Sequence, residues 1–120
     1  MSETRAETRA QTLPGGKVRI ILAEPMLEHG RPAESFTLRP PTIHEQITIG
    51  DPLTWVVGQA SAMRVVDREI LARLFGVLVE GVDADFLGRS TDLRAGHLIE
   101  ETILGFFQAA RSEPARKSGD

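Results

Sequence analysis

Ser35-Phe36-Thr37-Leu38-Arg39-Pro40-Pro41-Thr42-Ile43-His44-Glu45 changes structural period within eleven residues. The first four alternate polar and apolar, as a half-buried strand does. Pro40-Pro41 stops the strand, because proline cannot donate to a ladder. Thr42 and Glu45 then stand at capping-box spacing, which predicts a short helix over about 43–49, ended by Gly50. A strand running directly into a capped helix sets the fold class as α+β.

Working outward toward the N-terminus, Val18-Arg19-Ile20-Ile21-Leu22 is rich in β-branched residues and supplies a partner strand. Glu28-His29-Gly30-Arg31 provides the turn, with Gly30 free to take positive φ. The spacing predicts an N-terminal β-hairpin, and Pro25 marks either the end of regular pairing or an edge position. The polar run before it, residues 1–16, is expected to be a flexible tail closed by Leu13-Pro14-Gly15-Gly16. Residues 17–111 form one domain, and the polar residues 112–120 form a second tail.

Toward the C-terminus, Thr54-Trp55-Val56-Val57 and Met63-Arg64-Val65-Val66 are β-prone, and Gly58-Gln59-Ala60-Ser61-Ala62 between them resembles a loop. A second hairpin at 53–66 is favoured over one long helix opened by Asp51-Pro52. Two main helices close the fold. Asp67 caps one that runs to about Glu80, with Ile70, Leu71, Leu74, Phe75 and Leu78 on one face and Gly81 beyond its end. A turn or short helical piece spans about Asp83–Leu87. Ser90 or Thr91 then caps the last helix, whose Leu93, Leu98, Ile99, Ile103, Phe106, Phe107 and Ala110 follow a 3.6-residue period.

Composition narrows the function. At 120 residues, 41% hydrophobic and 26% charged, the chain suits one globular domain. Its formal net charge of −3 argues against nucleic acid as a partner, which calls for a basic footprint. With no cysteine there is no disulfide frame and no thiolate chemistry. No apolar run approaches the ~20 residues of a membrane span, and no secretory signal is present, so a cytoplasmic location is expected.

Motifs that could carry catalysis are incomplete. His44-Glu45-Gln46-Ile47-Thr48 has Thr48 where a zinc-protease helix needs its second histidine. His29, His44 and His97 fall in a turn, a helix start and a helix. The pairs Asp83/Asp85 and Glu100/Glu101 do not face one cleft, as acid–base work would need. Gly15-Gly16-Lys17 lacks the first glycine and the hydroxyl residue of a phosphate loop, and Ser35, Ser61 and Ser90 lack a nucleophile elbow. The chain is expected to be neither an enzyme nor a metal or cofactor carrier.

Apolar surplus is the remaining signal. Adjacent helical residues cannot share one core face, so one of Phe106 and Phe107 is a candidate for a partner surface. Trp55 is a second candidate. Val77-Leu78-Val79 wraps most of a helix's circumference, which makes Val77 and Val79 candidates too, covered by a copy of the chain or by another protein.

Val18 to Leu22, Glu24-Pro25-Met26, Gly30 and Phe36-Thr37-Leu38-Arg39-Pro40-Pro41-Thr42 together resemble the opening of phage tail assembly chaperones of the Mu-like and related prophage families. Ile49-Gly50-Asp51-Pro52, Asp67 at a helix start and Leu104-Gly105-Phe106-Phe107 extend the likeness over about residues 17–110. Pro40 stands where many relatives carry a charged residue. The resemblance implies a non-enzymatic protein of the bacterial host cytoplasm, absent from the finished virion. It would bind apolar helical segments of the tape measure protein during tail assembly and help recruit the tail tube protein. Self-association is expected as well. The alternative is a structural or adaptor subunit retained in a phage tail or tail-like particle.

Overall fold

The computed structural model describes residues 7–112. In chain order the elements are β1 (Arg9–Thr12), β2 (Val18–Glu28), β3 (Arg31–Leu38), α1 (Ile43–Thr48), β4 (Leu53–Val57), β5 (Ala62–Val66), α2 (Arg68–Leu78), β6 (Val79–Glu80), α3 (Ala84–Leu87) and α4 (Leu93–Ser112). An antiparallel sheet of order β1-β2-β3-β6 is covered by α4, with α2 and α3 beside it. β4 and β5 form a separate two-stranded sheet. The α+β class expected from the sequence is what the structure shows.

The turn at 29–30 forms because both residues take positive φ, His29 at 52° and Gly30 at 80°. That backbone twist matches the right-handed twist of the flanking strands. Pairing of β2 with β3 runs from Val18↔Leu38 to Ile21↔Ser35 and resumes at Met26↔Ala33. Leu22, Ala23, Glu24 and Pro25 therefore lie opposite Glu34 alone. The interruption falls where Pro25 has no N–H to give.

Core residues come from each layer. Ile20, Leu22, Phe36 and Leu38 point inward from the sheet, and Leu71, Leu74 and Leu78 from α2. Ala95, Ile99, Ile103 and Phe107 form an unbroken i, i+4 stripe along α4, and Leu87 closes one end.

Several boundaries differ from the sequence reading. Residues 7–16 belong to the fold, not to a tail: β1 pairs with β2 from Arg9↔Ile21 to Thr12↔Val18. Thr8 is buried; its Oγ1 donates to Asp92 Oδ2 at 2.9 Å and accepts from the Ala23 N–H at 3.0 Å. Residues 1–6 and 113–120 of the expected tails lie outside the described residues. The helix begun at Asp67 ends at Leu78, because Val79 and Glu80 pair with Leu38 and Thr37 at the sheet edge. Asp92, not Ser90 or Thr91, caps α4, its Oδ1 accepting from the Ala95 N–H at 3.1 Å. Among the described residues, no helix is long and apolar enough to cross a membrane.

Candidate protein-binding surface

The β4–β5 hairpin is built on a clamped root. Asp51 Oδ1 accepts from the Leu53 N–H at 2.7 Å, and Asp67 N–H donates to the Pro52 carbonyl at 2.7 Å. Asp67 also caps α2, taking the N–H groups of Glu69 and Ile70. Pro52 and Leu53 are buried, and Val66 packs on the core. At the other end the Gly58 N–H closes the loop on the Ser61 carbonyl at 2.7 Å.

Past the root, both strands are exposed on both faces. Trp55 is 58% exposed, Val56 52%, Val57 77% and Met63 61%. In an antiparallel pair, directly opposed residues project to the same side. Trp55↔Arg64 and Val57↔Ala62 therefore share one face, and Thr54↔Val65 and Val56↔Met63 share the other. The Arg64 guanidinium carbon lies 5.9 Å from the Trp55 ring centroid, within cation–π range. A two-stranded ribbon with apolar side chains on both sides and no covering layer is marginal by itself in water. The hairpin carries five of the ten large hydrophobic side chains exposed among the described residues.

The remaining candidates do not gather there. Val77 is 41% exposed at the last turn of α2. Val79 is not on that helix: it sits in β6, half-buried against the core. Phe106 packs partly on the core, and Phe107, at 3% exposure, lies in the α4 stripe and has no surface to offer a partner. Of the five, Trp55 and Val77 remain as open surface.

Sequence reasoning missed Val56, Val57 and Met63, together with Ile43 and Ile47, which are exposed one turn apart on α1. The signal was present. Trp55-Val56-Val57 lacks the alternation of a one-sided strand, and three apolar residues in a row on a strand must populate both faces.

Electrostatics converge at one place, between β3, α1 and the end of α2, for structural reasons. Arg39 forks Glu45, Nη1 to Oε1 at 2.9 Å and Nη2 to Oε2 at 2.6 Å. Nη2 also donates to the Val77 carbonyl at 3.1 Å, and the Arg39 N–H to that of Leu78 at 3.1 Å. Glu45 Oε1 takes the Thr42 N–H at 2.9 Å while the Glu45 N–H returns to Thr42 Oγ1 at 3.1 Å, completing the capping box. Hydrogen bonding by Arg39, then by the Thr42 amide, pulls the Glu45 carboxyl down to about 2, and the same bond raises Arg39 above its usual range. One arginine thus ties the start of α1 to the end of α2, and Pro40 does not disturb the helix.

Between α2, α3 and α4 runs an open apolar groove of about 300 Å³ lined by Leu71, Phe75, Leu87, Ile99 and Ile103. His29, His44 and His97 are all exposed, and His97 pairs with Glu101 at 3.1 Å. Among the described residues, no three metal-capable side chains come together. In comparisons with protein-family models, curated proteins and solved structures, nothing matches the chain.

Proposed function

We propose that this chain is a non-enzymatic protein-binding module that acts as a phage or prophage tail assembly chaperone, shielding apolar segments of the tape measure protein in the host cytoplasm. The observation that carries the reading is the β4–β5 hairpin, which holds Trp55, Val56, Val57 and Met63 in water on a clamped root. Large exposed apolar patches mark interaction sites, and tryptophan and arginine are enriched among residues that dominate binding energy. The Trp55–Arg64 face offers both. An apolar helix laid against this face would bury its own greasy stripe and the hairpin's together. The resemblance of residues 17–110 to tail assembly chaperones supplies the choice of partner, and the tail tube protein is a further one.

Coexpression with the tape measure protein of the same locus tests the role. The chain is expected to raise that protein's soluble yield and to copurify with it, and Trp55→Ala with Val57→Ser to lose both effects. An unchanged yield in the presence of the wild-type chain contradicts it.

One observation favours the structural or adaptor subunit as a second reading: among the described residues β4 and β5 form a sheet of two strands with no third, so a neighbouring subunit could add a strand beyond the hairpin's root. Mass spectrometry of purified particles separates the two, since stoichiometric presence supports the subunit.

A further inference from the structure

Resting on the reading of the hairpin as a surface for a partner's apolar helix, we propose that its Trp55–Arg64 face selects helices that carry a carboxylate within their apolar stripe, seated on Arg64. Arg64 is the one ionisable residue between Leu53 and Val66. It is exposed, and among the described residues it forms no ion pair. The acidic residues that flank the hairpin in sequence, Asp51 and Asp67, accept from backbone N–H groups at its root. The guanidinium lies over the Trp55 ring, 5.9 Å from its centroid. Contact with a ring face engages the positive charge and leaves the N–H donors for another group. Those donors form a planar fork that matches a carboxylate.

The register sets the spacing. Val57 and Ala62 share this face two residues nearer the loop, about 7 Å along the strands from the Trp55–Arg64 pair. A helix lying along the ribbon advances about 6 Å over four residues. A Glu and a large apolar residue one turn apart therefore reach Arg64 and Val57 together, with Trp55 against the turn between them. A purely apolar helix instead covers Arg64 without a partner, which costs desolvation. The face discriminates both by attraction and by this penalty. One cation on a chain of net charge −3 is too little for a phosphate backbone.

Two synthetic, tryptophan-free helical peptides of about 20 residues provide the test. They share a leucine stripe and differ by Glu or Gln at one position within it. Trp55 is the chain's only tryptophan, so its fluorescence reads the binding of either. The full chain is expected to bind the Glu peptide about five- to tenfold more tightly at about 0.05 M salt, and less selectively at about 0.5 M. Arg64→Gln should erase the preference, and Arg64→Glu should transfer it to a peptide with Lys at that position. Arg64 is exposed, so thermal unfolding of both variants should match the wild type. Equal binding of the Glu and Gln peptides overturns the proposal while leaving the hairpin an apolar binding surface. So does a preference that survives Arg64→Gln, or tighter binding of a single-stranded oligonucleotide than of the Glu peptide. A Trp55 signal that neither peptide moves overturns the proposal and the helix-binding reading together.

Discussion

Replacing Glu45 by glutamine removes one charge and almost no volume, and its cost can be worked from the geometry. Glu45 Oε1 accepts from both the Thr42 N–H and Arg39 Nη1, while Oε2 accepts from Arg39 Nη2 at 2.6 Å. Glutamine keeps one acceptor oxygen for Thr42 but turns an NH₂ toward the guanidinium, donor against donor. A carboxyl drawn from 4.5 down to about 2 corresponds to an upper bound of about 3.4 kcal/mol. The pair is partly wetted, and solvent screening reduces this to about 1–2 kcal/mol. The pH dependence has a definite sign. The unfolded chain binds this proton near 4.5 and the folded chain only near 2, so the stabilisation is complete above about pH 5 and disappears as pH falls toward 2. Urea unfolding of wild type and Glu45→Gln should then differ by about 1 M in midpoint at pH 7. The gap should shrink to about a quarter of that on acidification to about pH 2.5. A gap that is absent at pH 7, or that persists unchanged in acid, refutes the reasoning.

Two further substitutions separate core from surface. Phe107→Ala empties the end of the buried α4 stripe and should cost about 3–5 kcal/mol in chemical denaturation, while Val77→Ala on the exposed side of α2 should stay within about 1 kcal/mol. Thr8→Val leaves the Ala23 N–H and Asp92 Oδ2 without their buried hydroxyl partner. It should cost about 1–3 kcal/mol and speed amide exchange along β1.

Much of the frame was legible locally. The Thr42–Glu45 box, the Asp67 cap and the Gly30 turn depend on residues within a few positions of one another, and each formed as its chemistry dictates. What escaped was settled by distant partners. Arg9-Ala10-Gln11-Thr12 is polar enough to pass for a tail, yet the β2 ladder and Thr8, bonded to Ala23 and Asp92, hold it. Val79 continues an apolar helical run, and only the pairing with Leu38 makes it a strand. The candidate surface was half legible. Phe107 could have been placed inside by stepping back in fours through Ile103, Ile99 and Ala95, which leaves Phe106 off the stripe. Trp55 was singled out, but the weight given to α2 and α4 belonged to Val56, Val57 and Met63 beside it.

The tryptophan at position 55 is the chain's only one, and the chain has no tyrosine, so intrinsic fluorescence reports on the hairpin alone. Titrating the chain with a tryptophan-free apolar helical segment of the proposed partner, the tape measure protein of the same locus, with acrylamide quenching at each step, tests whether this exposed apolar arm is a binding surface. The expected result is a saturable blue shift with Trp55 becoming shielded from quencher. A Trp55 that remains as accessible as in the free chain while the proposed partner segment is demonstrably bound would contradict the account.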